Sequence, residues 1–472
     1  MRNKIIYKYI GKVLIGYSSL LIIPFIVGLL FKEHVYSFLI SGLLSLVLGL
    51  LLNLIRIDNK QLFARDGFKI VTLSWIAVSI IGAIPIMIEG HVTFVDSVFE
   101  AISGFTTTGA TVFTEVEHLP KSLLFWRDFM HFIGGMGVLA FVMAIIPLAK
   151  NDKSMHLLKA EMPGPSVSKL VPSIKKTLYY LYGIYFALTI TEIILLLITG
   201  TPLFDSILIA FGTAGTGGFS PLNTSVASYS VASKIIVATF MFLFGVNFNI
   251  YFLLILKNFK SVFKSEELRV YSGLYLFTIL ILVISSLEFF TNFGDCVLNA
   301  FFNASSFMSS TGYSIGNVNI YPTFARIWVL FIMVVSSCAG STCGGFKVAR
   351  LVLIFKIIKR DIQKMAHPNT VKIITYDGKK VDEELLNSTK SFMFLYIILM
   401  MIILFIVGLD NHPLEMSINA VFTTFGNVGL YFEIPNFNIF SDLSKVAMSI
   451  GMLLGRLEIY PMIVLLLSRR KS

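Results

Sequence analysis

The stretch "FEAISGFTTTGAT" (residues 99–111) decides how this chain is read. Its first half has the composition of a short helix. It then dissolves into threonines, a glycine and an alanine, with neither helical nor strand periodicity. Long apolar runs flank it on both sides. Irregular polar backbone at membrane depth is tolerated only where protein or a water-filled pathway surrounds its freed carbonyls. The reading therefore turns on whether the stretch is isolated or repeated.

It is repeated. "ILIAFGTAGTGGFS" (207–220), "FNASSFMSSTGYS" (302–314) and "NAVFTTFGNVGL" (419–430) share its order of features. Their aligned glycines are Gly109, Gly217, Gly312 and Gly429. Recurrence at such a long period points to a duplicated unit. Upstream, each copy opens on a capping residue followed by an acid: Thr93 with Asp96, Thr201 with Asp205, Thr291 with Asp295, Asn411 with Glu415. That pattern favours a helix start. The interval from acid to glycine is too short for a helix to cross a bilayer, which takes about 20 residues. Each copy is expected to dip in as a half-helix and return as extended chain.

The rest of the sequence supplies the membrane. The chain of 472 residues is 56% hydrophobic and 14% charged, with mean hydropathy +0.82. That excludes a soluble core wrapped in polar surface. Runs at 36–55, 235–256 and 391–409 are span-sized. The first run, 13–31, follows a basic start but lacks a clear cleavage site and is read as a retained helix. The net charge of +11 is arranged in clusters at 2–12, 56–69, 150–176, 257–269, 347–390 and 469–471. The intervening loops are nearly bare of Lys and Arg. This is the positive-inside pattern with both termini cytoplasmic, not a nucleic-acid face. Cys296, Cys338 and Cys343 offer no disulfide framework.

The expected organisation is an N-terminal two-helix hairpin (1–66) and four repeats, at 67–170, 171–265, 266–388 and 389–472. Outward spans start near 69, 177, 269 and 390; inward spans lie near 123–149, 234–257, 325–346 and 445–468. The fold class is an all-α polytopic membrane protein with four membrane–pore–membrane repeats around a single ion pore. Four converging loops would offer rings of carbonyls in place of an ion's hydration shell. The negative C-terminal ends of the half-helices favour a cation. The competing reading, Gly/Thr-rich helix-packing surfaces, suits one copy equally well but not four capped copies on the side poor in basic residues.

Five motifs carry a resemblance: "SGFTTTGAT" (103–111), "IGGMG" (133–137), "AEMPGP" (160–165), "GSTCGGFK" (340–347) and "GRLEIYP" (455–461). In this order the chain resembles the TrkH/TrkG/KtrB superfamily of potassium-translocating subunits over essentially its whole length, most nearly the TrkH branch. The resemblance implies a selectivity filter at Thr107, Thr108, Gly109, Ala110 and Thr111, and at Gly215, Thr216, Gly217, Gly218 and Phe219. Its third and fourth strands are Ser310, Thr311, Gly312, Tyr313 and Ser314, and Asn427, Val428, Gly429 and Leu430. K+ is expected at Thr107, Thr108, Thr216, Gly217, Ser310, Thr311, Asn427 and Val428. In related plant transporters a serine at the first such glycine accompanies sodium preference, so Gly109 argues for potassium.

"SSCAGSTCGGFKVAR" (336–350) is a poor helix interior, since each Gly costs about 1 kcal/mol relative to Ala. It is either a packed kink or, as the resemblance implies, an intramembrane gating loop formed by Gly340, Ser341, Thr342, Cys343, Gly344 and Gly345. Arg456 lies within the last span, where an arginine is costly. It is expected to pair with Glu192, Glu458 or freed carbonyls, or, as the resemblance implies, to lie in the pore near that loop and raise a barrier to cations, or both. Lys347 is expected to snorkel, Glu100 to support the filter and His131 to pack. The resemblance further implies a homodimer with one pore per protomer, a cytosolic TrkA-like nucleotide-binding subunit on the basic loops 150–176 and 347–390, and residence in the bacterial cytoplasmic membrane. K+ is the transported ion and no organic cofactor is expected. No paired catalytic carboxylates, nucleophile triad, Walker loop or Rossmann glycine motif is present in the sequence, which argues against an enzyme. Two rivals stay open: a symporter coupled to H+ or Na+, and a polytopic scaffold or enzyme.

Overall fold

The computed structural model describes residues 3–56, 64–148, 174–369, 372–434 and 436–467. The motif "AEMPGP" (160–165), nearly all of the basic stretch 150–176, part of 56–69 and the basic residues at 469–471 lie outside them. Among the described residues, six helices are long and apolar enough to cross a membrane, or seven if one bent pair counts as a span. The fold is all-α and polytopic.

The chain opens with α1 (Asn3–Leu20) and α2 (Ile22–Leu30), and α3 (Tyr36–Asn53) returns against them. The run expected at 13–31 is thus the C-terminal part of a helical stretch that includes α1 and α2. With lipid as solvent, apolar contact alone gives helices little reason to associate, and small or polar side chains do that work. Ser45 Oγ donates to Leu14 O at 2.8 Å and Ser41 Oγ to Ile81 O at 2.8 Å. Apolar side chains such as Leu43 and Phe405 remain exposed on the outer faces, as a lipid-facing surface requires.

Repeat 1 is α4 (Ala64–Glu89), the short α5 (Phe94–Phe105) and α6 (Lys121–Leu148). Repeat 2 is α7 (Ile174–Ile198), the short α8 (Leu203–Gly215), then α9 (Val231–Phe244) and α10 (Phe248–Ile255). A small α11 (Phe259–Lys264) leads into repeat 3: α12 (Glu266–Ser286), the short α13 (Phe293–Met308), α14 (Thr323–Val335) and α15 (Val348–Ala366). A hairpin follows, β1 (Thr375–Tyr376) antiparallel to β2 (Lys379–Lys380). Repeat 4 is α16 (Glu383–Val407), the short α17 (Leu414–Phe425), α18 (Asp442–Arg456) and α19 (Ile459–Leu467).

The short helices run 12 to 16 residues, about 18–24 Å at 1.5 Å per residue, against a hydrocarbon core of about 30 Å. Their entries differ from the expected caps in three repeats. Thr93 does cap α5, accepting from Asp96 N–H at 3.2 Å. But α8 and α17 open on Pro202 and Pro413, whose rings preset φ, and neither proline makes a side-chain cap. The Thr201 hydroxyl instead meets Ser233 Oγ at 3.0 Å, and Asn411 adopts φ +57°. In repeat 3 the cap is Asn292, one residue beyond Thr291, accepting from Gly294 N–H at 3.0 Å.

The second spans of the repeats, expected to run inward, depart further from expectation. Only repeat 1 has an unbroken one. In repeat 2 the run 234–257 is two helices bent by 92° between Phe244 and Phe248. In repeat 3 the chain leaves helix from Ser336 to Lys347. In repeat 4 the run 445–468 breaks at Leu457 and Glu458. The repeat 2 bend exists because its freed backbone finds partners in the repeat 3 loop: Cys338 N–H donates to Gly245 O, and Phe248 N–H to Gly340 O, both at 3.1 Å. One break fills the other.

Candidate ion pathway

All four short helices end the same way. The N–H groups of Thr108, Gly217, Thr311 and Val428 donate five residues back, to Ser103, Gly212, Ser306 and Thr423, at 2.8, 2.8, 3.0 and 2.9 Å. The preceding residues, Thr107, Thr216, Ser310 and Asn427, donate three residues back at 3.1, 3.1, 3.3 and 3.3 Å. This bond pair defines a Schellman terminus, whose left-handed residue is usually glycine. Here it is Thr, Thr, Ser and Asn, with φ of 53°, 59°, 53° and 55°. Left-handed backbone costs an L-residue about 1–2 kcal/mol, and two of these residues are β-branched. Strain held four times over is a mark of a functional segment.

Two residues further on, Gly109, Gly218, Gly312 and Gly429 take φ of 80°, 74°, 90° and 77°. A Cβ on Gly109 would overlap the carbonyl oxygen of Gly217; on Gly218, that of Thr311; on Gly312, that of Val428; on Gly429, that of Thr108. The contacts close a ring in repeat order 1–2–3–4–1. They put the Thr108, Gly217, Thr311 and Val428 carbonyls at one level, each against a glycine of the preceding strand. The glycine alignment drawn from sequence is therefore off by one in repeat 2: the counterpart of Gly109 is Gly218, not Gly217. The double glycine allows either choice, and backbone φ decides it.

Buried polar struts brace these strands. Glu100 accepts from Thr111 Oγ1 at 2.9 Å, Val112 N–H at 3.0 Å and Arg127 Nε at 2.9 Å, and so braces the end of the first strand. The Arg127 guanidinium also lies 4.1 Å from the ring centroid of Phe219 in repeat 2. His131 does more than pack. Its Nε2 accepts from Phe219 N–H at 3.2 Å, so Nδ1 carries the proton donated to Gly104 O at 2.8 Å. One imidazole thus joins the end of the first short helix to the second strand. Repeat 4 is tied to repeat 1 by Lys445 on Asp96 at 2.5 Å, and by Asn427 Nδ2 on Thr108 Oγ1 at 2.9 Å. The "IGGMG" motif lets α6 approach closely: a Cβ on Gly134 would overlap Phe105 O, and one on Gly135 would crowd the Gly215 backbone.

The 336–347 segment lies directly beneath these ends. Thr342 O accepts from Arg456 Nη1 at 2.5 Å and from Thr216 Oγ1 at 3.2 Å. Gly344 N–H donates to Ser310 Oγ at 3.3 Å. Arg456 Nη2 donates to Gly134 O at 3.2 Å, so the arginine binds one carbonyl of the loop and one of α6, and pairs with neither Glu192 nor Glu458. Glu458 pairs with Arg350. Lys347 does not snorkel: it is buried and donates to Cys343 O at 2.5 Å. Ser341 through Gly345 are buried, and Gly340 is partly so. The strand ends around Gly109, Gly218, Gly312 and Gly429 thus meet one another, and Thr342 and Gly344 of the loop meet two of them. Among the described residues, no group of three or more His, Cys, Asp or Glu is placed to hold a metal.

Comparison with known proteins shows the family and the fold. The TrkH family profile, described as a cation transport protein, covers residues 34–470. The Trk system potassium uptake protein TrkG of Escherichia coli is 32% identical over 462 residues, 95% of this chain and 94% of TrkG. The Trk system potassium uptake protein TrkH of Salmonella typhimurium is 31% identical, covering 98% of both chains. The crystal structure of the potassium transporter TrkH from Vibrio parahaemolyticus superposes with a TM-score of 0.90 at 27% identity, covering 99% of each. The chain belongs to the TrkH family of cation transport proteins.

Proposed function

We propose that this chain takes up K+ across the bacterial cytoplasmic membrane, through one filter built from its four repeats. The observation that carries the reading is the closed ring in which each positive-φ glycine abuts the carbonyl before the next strand's glycine. Two stacked levels follow, with Thr107, Thr216, Ser310 and Asn427 below and Thr108, Gly217, Thr311 and Val428 above. Their backbone oxygens replace the hydration shell of K+. Each helix C-terminus adds roughly half a negative charge at the lower level. The strands differ in sequence, so the filter is asymmetric.

The 340–345 loop is the gate, and Arg456 holds it by the Thr342 carbonyl while placing a positive charge in the cation's path. Repulsion between unit charges grows steeply as the local dielectric falls. The working unit is a homodimer with a pore in each protomer, and a TrkA-like cytosolic subunit acts on the basic inner loops. The relatives' names, TrkG and TrkH of Trk potassium uptake systems, support the ion and the multi-part system. The chain itself binds no organic cofactor, and it divides into a hairpin (1–66) and repeats at 67–170, 171–265, 266–388 and 389–472. The test is growth of K+-uptake-deficient cells at low external K+, with Rb+ flux into liposomes bearing the chain and its partner. Absence of both refutes the reading.

A further inference from the structure

Two consecutive carboxylates at the start of α12 serve different parts of the molecule. Glu267 is buried. Its Oε1 accepts from the backbone N–H of Ala339 at 2.6 Å, and its Oε2 from Asn247 Nδ2 at 3.3 Å. Ala339 belongs to the loop beneath the filter, just ahead of Gly340. Asn247 lies at the repeat 2 bend, where its Oδ1 accepts from Asn249 N–H and caps α10. One carboxylate therefore grips loop and bend together, between the backbone bonds that join them.

Glu266 faces the other way, toward the hairpin that follows α15. Glu266 N–H donates to Asp377 Oδ1 at 2.7 Å, and Asp377 N–H donates back to Glu266 Oε1 at 3.2 Å. Lys356 of α15 pairs with Glu266 and donates to Thr375 O at 2.6 Å. The hairpin is also seated by apolar packing. Ile374, Tyr376 and Val381 are buried in the same cluster as Cys338 and Ala339 of the loop. Hairpin, first turn of α12 and loop are thus joined without a gap.

We propose that Glu267 is the positioning residue of the intramembrane loop, and that the Glu266–Glu267 step carries displacement of the hairpin to it. The proposal rests on the reading of that loop as the gate. While the carboxylate stays in place, the Ala339 N–H has a charged acceptor, and a buried amide deprived of one is costly. Pulling the hairpin moves Glu266 through its reciprocal bonds with Asp377, and Glu267 moves with its neighbour. A partner that grips the exposed side of the hairpin would then loosen the loop from a distance, with no contact to the filter.

The loop's own cysteines report on this. Cys338 and Cys343 are free and buried, and Cys296, the remaining cysteine, is replaced by serine as background. Maleimide labelling of the full-length protein in liposomes is expected to be about ten-fold faster in Glu267→Ala. Glu267→Gln keeps an acceptor oxygen and should label close to the unsubstituted rate. Asp377→Gly suits the φ of +49° while deleting the acceptor for Glu266, and should raise labelling in the same direction. Equal labelling in Glu267→Ala and the parent overturns the proposal, and so does Gln behaving like Ala. Unchanged labelling in Asp377→Gly removes the hairpin from it. If Glu267→Ala does not fold, Glu267→Leu, which likewise offers Ala339 N–H no acceptor, takes its place with the same two outcomes. Rb+ flux measured in parallel separates the two layers: faster labelling without higher flux keeps Glu267 as the anchor and refutes the loop as gate.

Discussion

Gly109→Ser tests the filter geometry most sharply. Serine at φ +80° carries the left-handed penalty of about 1–2 kcal/mol for an L-residue. Its Cβ would also overlap the Gly217 carbonyl oxygen, which is backbone and cannot swing aside as a side chain would. Either that carbonyl rotates away or residue 109 leaves its conformation. Both outcomes disturb one of the four oxygens at the upper level. If the strain falls on ion discrimination, 1–2 kcal/mol corresponds to a loss of about 5–30-fold in K+ over Na+ preference. Gly200→Ser is the control. Its φ of +85° imposes similar strain, but nothing lies within 4 Å of an added Cβ, so selectivity should hold. The assay is competitive Rb+ and Na+ uptake into liposomes at matched protein levels. Unchanged selectivity in Gly109→Ser, with normal folding, would refute the strand assignment.

Arg456→Ala removes the donor to the Thr342 and Gly134 carbonyls and the charge beneath the proposed filter; basal Rb+ flux should rise severalfold, and unchanged flux would count against the proposed gate. Arg127→Ala leaves the buried Glu100 carboxylate without its cation, a loss of about 3–5 kcal/mol when one partner of a buried pair is deleted. A clear drop in melting temperature in detergent is expected, and an unshifted melt contradicts the strut. His131→Leu orphans Phe219 N–H and leaves Gly104 O with only the Thr107 N–H, about 1–3 kcal/mol for the buried amide. Selectivity should fall in His131→Leu and largely survive in His131→Gln, which keeps a donor and an acceptor; equal behaviour of the two would reduce the imidazole to a space-filler.

The half-helices and three of their four terminal glycines are legible because the signal recurs; in repeat 2 the double glycine hides which one takes positive φ. A single "TTTGAT" admits several readings, but four copies behind an acid on the side poor in basic residues do not. The broken third inward span was legible too, since "GSTCGG" cannot sustain a helix. Other features depended on partners distant in sequence. The bend at Gly245–Asn247 lies inside an apolar run that reads as one span, and its cause is Cys338 and Gly340, more than ninety residues on. His131 looks like a packed histidine beside "IGGMG" because its second partner, Phe219, is 88 residues away. Lys347 passed for an interfacial lysine because charge and position were visible and the Cys343 carbonyl was not. The expected caps failed where prolines started helices by fixing φ, a device that leaves no polar signature.

The most direct measurement is the structure of the protein in Rb+, with the ion located by its anomalous scattering. The account predicts density on the axis, bounded by the carbonyls of Thr108, Gly217, Thr311 and Val428 above and of Thr107, Thr216, Ser310 and Asn427 below. An occupied Rb+ site elsewhere, with none between these levels, would contradict it.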